Sequence, residues 1–215
     1  MRSRLSLVFA ALVALAVATA HAGAWAVITV DDLPERIAAS ENVTLRFSVR
    51  QHGMHLLKGL SPRVNFGLDS RASSSVAAKP VPDQAGYYSA TLSFPEPGIW
   101  KVTIFSGFVT SHLELNPIKV VASGTERPSL SAAQRGEDLF VAKGCASCHY
   151  HQAIGEAPIA RVGADLSAKR YPVALLGKLL ADPSLLPPVN GLWTMPKLDL
   201  KPQEISALAA FINQQ

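Results

Sequence analysis

Cysteine is scarce in this sequence: two cysteines among 215 residues exclude a disulfide-rich scaffold. An excess of charge of one sign is also missing, because 20 Lys and Arg residues stand against 16 Asp and Glu, and two of the arginines lie within the first four residues. We therefore expect no nucleic-acid-binding surface and no polybasic membrane patch. Disorder is excluded as well, because 48% of the residues are hydrophobic.

The N-terminal run of uncharged, mostly apolar residues is short for a membrane span. From Leu5 to Ala20 it has 16 residues, fewer than the roughly 20 that cross a hydrocarbon core. It follows Arg2 and Arg4 and ends in small residues, the three parts of a secretory signal. We predict a cleaved signal peptide over residues 1–24 and a periplasmic or otherwise extracytoplasmic protein. An uncleaved N-terminal anchor is the alternative, and no other membrane signal is present.

Residues 25–122 contain short runs in which apolar and polar residues alternate, separated by turns rich in glycine and proline. The clearest runs are Val43 to Arg50, Tyr88 to Phe94, Trp100 to Ile104 and Ile118 to Val120. A period of two is typical of strands with one face on a core. We predict about seven short strands in an antiparallel β-sandwich.

Two stretches of this region resemble immunoglobulin-like domains of the FixH and YtkA type. They are Gly86-Tyr87-Tyr88-Ser89-Ala90 and Pro97-Gly98-Ile99-Trp100-Lys101-Val102. The resemblance implies an all-β immunoglobulin-like sandwich. A sandwich fold does not define an activity, and a docking module is one interpretation of this domain.

The pattern changes after the sandwich. Residues 123–128 are small, polar and end in proline, as in a linker. Ser131 and Gln134 fit a capping box at the start of a helix that runs to about Lys143, where Gly144 ends it. Two later stretches have apolar residues at helical spacing, Pro172 to Ala181 and Pro202 to Asn213. We predict an all-α domain over residues 129–215 that folds independently of the sandwich.

The chemistry of this domain centres on Cys145-Ala146-Ser147-Cys148-His149. In a Cys-x-x-Cys-His motif, two thiols can bond the vinyl groups of one haem while the imidazole reaches its iron. A thioredoxin-like redox pair is an alternative, but it favours a strand before the motif, where a helix is predicted here. A structural zinc site would need two further ligands, and only His149 and His151 are near.

A second axial ligand is expected if the iron transfers electrons. Met195 is the only methionine in the C-terminal half, within Leu192-Trp193-Thr194-Met195-Pro196. The proline stiffens the loop that would hold the thioether. The alternative interpretation is a methionine that only fills the core.

Together these residues make 129–215 resemble a class I cytochrome c domain, which implies an all-α cytochrome c fold and one covalent haem c. Gly136, Phe140 and Phe211 occupy the positions where the first and last helices of that family cross. Gly163-Ala164-Asp165-Leu166 is similar to the family's Gly-Pro-x-Leu segment, whose carbonyl oxygen orients the proximal imidazole. Ala164 replaces the proline, and Pro158 is the other candidate for that contact. Trp193 and Tyr171 are candidates for the haem rim.

The sequence therefore predicts an exported electron carrier with no catalytic residues. Its haem iron would be six-coordinate, with His149 and Met195 as the axial ligands. Its partners would be redox proteins or a membrane oxidase or reductase. A second hypothesis is copper handling linked to oxidase assembly. It rests on His52, Met54 and His55, with His112 elsewhere in the sandwich, because imidazole and thioether donors suit copper. Only a turn at Gly53 would let the three side chains converge.

Overall fold

The computed structural model of the protein describes residues 24–68, 73–126, 129–167 and 170–214. The predicted signal peptide lies outside this part, apart from its last residue. The described chain consists of a β-rich N-terminal region and a helical C-terminal region, as the sequence predicts. None of the helices in it combines the length and the apolar character needed to cross a membrane.

The N-terminal region forms two sheets that pack face to face. Its strands, within the described residues, are β1 (Ala26–Val30), β2 (Ile37–Ala38), β3 (Asn42–Gln51), β4 (His55–Leu56), β5 (Arg63–Leu68), β6 (Ser74–Ala77), β7 (Lys79–Pro80), β8 (Tyr87–Ser93), β9 (Gly98–Phe105), β10 (His112–Glu114) and β11 (Ile118–Val121). One sheet has the order β1-β3-β8-β7, with β4 paired to β3. The other has the order β2-β11-β9-β5-β6, with β10 paired to β9.

The sandwich differs from the predicted one in two respects. The described residues contain eleven strand segments where the sequence predicts about seven, because several of the segments are only two residues long. The pairing is not wholly antiparallel either, since β2 pairs with β11 in parallel through Ile37 and Val120. Such two-residue edge segments are too short to produce an alternating pattern, and this is why the sequence does not reveal them.

The alternation of apolar and polar residues in the sequence correctly locates the core strands. In β9, Trp100, Val102 and Ile104 are buried while Ile99 and Lys101 are exposed. Strand β1 departs from this pattern, because all five of its residues are buried. Its two faces are covered by different partners: one lies in the sandwich core and the other faces the helical region.

The helical region contains α1 (Ala132–Ala142), α2 (Val173–Ala181) and α3 (Pro202–Ile212). The predicted capping box is confirmed: the Gln134 backbone N–H donates to the Ser131 hydroxyl and the Ser131 backbone N–H donates to the Gln134 side chain. Gly144 ends α1 with a φ of 77°, a left-handed conformation that glycine adopts without strain. Helices α1 and α3 cross, with Phe140 and Phe211 in contact at a ring-centroid distance of 5.4 Å.

The two regions share a packed boundary along β1 and the end of α1. Ala142 packs into the hydrophobic core of the sandwich. The Thr29 hydroxyl donates to the carbonyl oxygen of Lys143 at 3.3 Å, and the Lys143 ammonium donates to the carbonyl oxygen of Asp31. Nearer the start of α1, Arg135 donates to the carbonyl oxygen of Leu33 at 2.6 Å. The Cys-x-x-Cys-His motif therefore begins directly beside the sandwich.

Candidate haem-binding site

The cysteine motif is folded into a tight turn that follows α1. Residues Cys145–Ser147 form a 3-10 turn, and the backbone N–H groups of Cys148 and His149 both donate to the carbonyl oxygen of Cys145, at 3.1 and 2.9 Å. Both cysteines are free thiols and are partly buried. The turn thus presents two thiols and one imidazole from five consecutive residues, as covalent haem attachment requires.

The thiols are poorly suited to redox exchange. Burial, reinforced by the nearby Cys148, raises the pKa of Cys145 to about 12, and burial also raises the pKa of Cys148. Redox-active cysteine pairs instead have a lowered pKa, which supplies the thiolate nucleophile. The helix that leads into the motif likewise differs from the strand expected of a thioredoxin-like pair. Both observations disfavour that alternative.

The imidazole of His149 is oriented by a backbone carbonyl. Its Nδ1 lies 2.9 Å from the carbonyl oxygen of Ala164. A carbonyl only accepts, so Nδ1 carries the proton and Nε2 keeps a lone pair for a metal. Burial lowers the pKa of His149, which favours the neutral form that binds iron. This contact comes from Ala164 and not from Pro158, the other candidate.

Gly163 allows this approach of the loop to the ring. The Gly163 backbone N–H donates to the carbonyl oxygen of Cys148 at 3.0 Å. A Cβ built on Gly163 would lie 2.6 Å from both Cε1 and Nδ1 of His149. The glycine is therefore required by space rather than by backbone conformation. Its resemblance to the family's Gly-Pro-x-Leu segment is the sequence signal that locates it.

Met195 lies in a loop that packs against the same core as the motif. It is partly buried, and it shares the hydrophobic cluster of α1, α2 and α3 with Cys145, Ala146 and Tyr171. Two hydrogen bonds fix Tyr171 there: its backbone N–H donates to the Asn213 side chain at 2.8 Å, and its carbonyl oxygen accepts from that side chain at 2.9 Å. The structure thus brings the predicted axial methionine and the first cysteine to one core.

Apolar side chains are unusually exposed between the motif and Met195. Seven of the ten large hydrophobic residues that are exposed in the described chain fall in this stretch: Ile159, Val173, Leu175, Leu185, Leu186, Val189 and Leu192. Soluble domains seldom leave so many in one region unless something covers them. A porphyrin is apolar over most of its surface, so this donor set and its surroundings fit a haem.

Trp193, a candidate for the haem rim, lies against the sandwich. Its ring is stacked on Trp25 with centroids 6.1 Å apart and meets the His52 ring edge-on at 5.6 Å. No feature of the sequence pointed to this three-ring cluster, because its members come from distant parts of the chain.

His151 is buried between aromatic rings. Its ring lies 4.3 Å from that of Phe211 and 6.0 Å from that of Phe140. No group of three or more His, Cys, Asp or Glu side chains in the described ranges is arranged to hold a metal ion. The zinc alternative, which needed His151 beside His149, therefore gains no support.

The copper candidates occupy a hairpin at the end of β3. Gln51 pairs with His55, so His52, Gly53 and Met54 form the connecting turn. His52 and Gly53 have φ values of 53° and 75°, the turn geometry rather than a continued strand. The His52 ring packs on Trp25 and Trp193, Met54 is partly buried, and His55 is exposed. The exposed His112 lies on β10, with Nδ1 3.0 Å from the carbonyl oxygen of Thr110.

Comparison with known families gives a match in the helical region. The family model for cytochrome c matches residues 133–215. The match supports a C-terminal cytochrome c domain, a haem-binding electron-transfer domain, and implies a covalently bound haem c. No curated protein matches the chain.

Solved structures show only a distant likeness. A superoxide reductase (neelaredoxin) from Ignicoccus hospitalis is 18% identical, with a TM-score of 0.30 over 44% of this chain and 79% of its own. The PKD domain of the human VPS10 domain-containing receptor SorCS2 is 15% identical, with a TM-score of 0.25 over 46% of this chain and 74% of its own. Likenesses this weak carry no functional argument.

Proposed function

We propose that the chain is an exported c-type cytochrome with one haem, which transfers single electrons in a respiratory chain. The cytochrome c match to residues 133–215 is the premise. The observation that carries the proposal is the bond from His149 Nδ1 to Ala164, because it leaves Nε2 of the imidazole available beside two free thiols. The remaining elements of the proposal are the export, the axial methionine and the role of the sandwich.

The residues of this chain would divide the work as follows. Cys145 and Cys148 would hold the haem covalently, and His149 and Met195 would be its axial ligands. When bound, the haem supplies a one-electron couple between ferrous and ferric iron. The Ala164 carbonyl fixes the ring of His149 and increases its basicity. If His149 and Met195 both bound the iron, no coordination position would remain for a substrate, so we propose an electron carrier and not an enzyme.

The location and the partner follow from other parts of the chain. Residues 1–24 have the pattern of a secretory signal, which supports a periplasmic location. The sandwich adds a second folded surface beside the haem domain. We propose that this surface docks the protein onto its redox partner, a membrane oxidase or reductase or another redox protein.

The direct test is the mass and the spectrum of the exported protein. The mature chain, produced together with a haem-attachment system, should carry one haem that denaturation and acid extraction do not remove. A Cys145→Ala, Cys148→Ala variant should lose it, while His55→Ala, an exposed residue outside the motif, should retain it. An exported chain with intact cysteines and no haem adduct would refute the proposal.

Copper handling is the second candidate, and one observation favours it. The hairpin has the turn geometry that the copper hypothesis needs, with His52 and Met54 in one loop and His55 paired next to it. Calorimetric titration of the haem-loaded protein with cuprous and cupric ions tests the idea. A His52→Ala, Met54→Ala, His55→Ala variant that binds as weakly as the unaltered protein would leave the hairpin a structural turn.

A further inference from the structure

The loop that carries Met195 is attached to the sandwich through one side chain. Trp193, two residues before Met195, stacks on Trp25 with the ring planes 27° apart and the centroids 6.1 Å apart. The His52 ring meets Trp193 at 78° with a centroid distance of 5.6 Å. Stacked and edge-on contacts at these separations are the favourable arrangements of aromatic rings. The indole of the haem domain thus rests on two rings of the sandwich.

The two sandwich rings are themselves fixed. The His52 backbone N–H donates to the carbonyl oxygen of Trp25 at 3.0 Å, and the two rings contact each other at 5.3 Å. Ala26 pairs with Gln51 in the sheet and donates to the Ser111 hydroxyl at 2.9 Å. Trp25 and His52 are therefore adjacent to paired strands, so they form a firm platform rather than a mobile tip.

Trp193 ends a constrained turn and lies only two residues before Met195. Asn190 and Gly191 both have positive φ, and the backbone N–H groups of Leu192 and Trp193 donate to the carbonyl oxygen of Val189. This Asn-Gly turn ends at Trp193. Gly191, Leu192 and Thr194 are exposed, so the ring of Trp193 is the anchor of the segment. Pro196 then restricts Met195 to extended conformations.

The sandwich also contacts the other ligand-bearing segment. A Cβ built on Gly144, immediately before Cys145, would lie 2.5 Å from Cγ1 of Val27 and 2.7 Å from the carbonyl oxygen of Ile28. Strand β1 and Trp25 thus contact both segments that would supply a ligand to the iron, the one before Cys145 and the one before Met195.

We propose that Trp25 and His52 are positioning residues that hold Met195 on the iron. This inference rests on the proposed function, in which Met195 is the axial ligand. The sandwich then does more than dock a partner: it determines how readily the methionine leaves. Removing either ring should free the Trp193 segment and make the sixth coordination position easier for an external ligand to occupy.

The experiment uses imidazole as the external ligand and the full-length, haem-loaded ferric protein. His52→Asn removes the ring and keeps a residue that tolerates positive φ. Trp25→Ala removes the other ring, and Trp25→Phe keeps an aromatic one. We expect His52→Asn and Trp25→Ala to bind imidazole about tenfold more tightly, the change that loss of an aromatic contact allows. Trp25→Phe should stay close to the unaltered protein.

Three controls separate the interpretations. His112→Asn makes the same substitution at an exposed histidine outside the cluster and should bind imidazole as the unaltered protein does. Met195→Ala leaves the sixth coordination position free, so its affinity for imidazole is the upper limit for the other variants. It should also lose the sulfur-to-iron charge-transfer absorption. Mass spectrometry verifies that each variant has the same mature N-terminus, and thermal unfolding reports on its fold.

The outcomes are distinguishable. If Met195→Ala binds imidazole no better than the unaltered protein, the axial-ligand assignment in the proposed function is wrong. If Met195→Ala binds more tightly while His52→Asn and Trp25→Ala do not, the ligand assignment stands and the positioning role is refuted. Variants that only melt at a lower temperature, with unchanged affinity for imidazole, likewise refute it.

Discussion

Gly136 and Ala207 bring helices α1 and α3 together backbone to backbone. A Cβ built on Gly136 would lie 2.0 Å from the carbonyl oxygen of Ala207 and 2.6 Å from Cβ of Phe211. No side chain could occupy that space without moving a helix. The crossing that the cytochrome c resemblance predicts therefore depends on the absence of a single methyl group.

Gly136→Ala should destabilise the protein by about 3 kcal/mol, the upper range for overpacking, because the clash is with backbone. Gly177→Ala is the matched control within α2, where the nearest atom to the new Cβ is Cγ2 of Ile205 at 4.0 Å. That substitution should stabilise by up to about 1 kcal/mol through helix propensity. Urea unfolding of both variants checks the prediction. Equal effects would mean that α1 and α3 can separate at no cost.

Lys143 and Glu204 form a buried ion pair beneath the sandwich boundary, with Nζ and Oε1 2.8 Å apart and side-chain exposures of 3% and 10%. Glu204→Gln should cost about 3 kcal/mol, since it leaves the Lys143 ammonium buried without its counter-charge. Lys143→Met combined with Glu204→Leu should recover most of that loss, because no buried charge remains. Denaturant unfolding of the single and double variants measures both values.

The control for this pair is Lys201 and Asp32, an ion pair whose side chains are 63% and 71% exposed. Asp32→Asn should leave the melting temperature nearly unchanged, because water screens exposed pairs. A double variant at Lys143 and Glu204 that is no more stable than Glu204→Gln would contradict the account of buried charge.

Gly163→Ala should disturb the proximal side of the haem site. The new Cβ would lie 2.6 Å from the His149 ring, so the ring must move away from the Ala164 carbonyl. Loss of that hydrogen bond lowers the basicity of the imidazole and so raises the reduction potential of the iron. Potentiometric titration of the haem-loaded variant, with Gly177→Ala as the control, checks the direction. An unchanged potential would mean that Ala164 does not tune His149.

The stability of the protein should depend on pH through Asp31. Burial raises its pKa above the ordinary value of 3.8, although Arg46 lies 2.8 Å away and opposes the shift. The folded state therefore keeps a proton that the unfolded state has already lost. The ionised Asp31 therefore destabilises the folded state. This loss of stability is absent below the pKa of Asp31 in the unfolded chain and complete above its pKa in the folded chain. Asp31→Asn should gain stability relative to the unaltered protein as pH rises from about 3 to about 6.

Urea unfolding at several pH values across that range measures the difference between the two proteins. A difference that stays constant would show that Arg46 offsets burial at Asp31, and one that shrinks as pH rises would show that Arg46 outweighs burial. The sandwich boundary is a suitable place for this test, because the carbonyl oxygen of the same residue accepts from Lys143.

The sequence predicts that residues 129–215 fold independently. Their contacts with β1 add that the isolated fragment should be less stable than the full chain. Ala142 packs in the sandwich core, and Gly144 lies against Val27 and Ile28. A fragment starting at Ser129 would expose these surfaces and leave Lys143 without its bond to Asp31. We expect the fragment to attach haem but to melt at a lower temperature than the full chain. Scanning calorimetry of both proteins makes the comparison, and equal melting temperatures would contradict it.

Local patterns were sufficient to predict the helical region. The capping box at Ser131 and Gln134, the stop at Gly144 and the stripes of α2 and α3 depend on residues within a few turns of one another. The contact between Phe140 and Phe211 followed from a family resemblance tied to a specific motif. Such features are predictable because short-range hydrogen bonding and helical spacing specify them.

Long-range pairings could not be predicted in the same way. The parallel pairing of β2 with β11 joins opposite ends of the sandwich, and two residues carry no periodicity. The stacking of Trp193 on Trp25 depends on how two regions pack, which neither region's pattern encodes. The choice of Ala164 over Pro158 depends on the path of one loop. The last two of these contacts also define the surroundings of His149 and Met195.

The raised pKa values of Cys145 and Cys148 impose an order of events on the maturing chain. A thiol reacts as its thiolate, and once the turn after α1 has closed, burial keeps both sulfurs protonated. A buried, protonated thiol is slow both to oxidise to a disulfide and to form a thioether. We therefore expect haem to attach fastest while the segment from Cys145 to Cys148 is still open, so that the rate at which this turn closes would limit the yield of haem-bound protein.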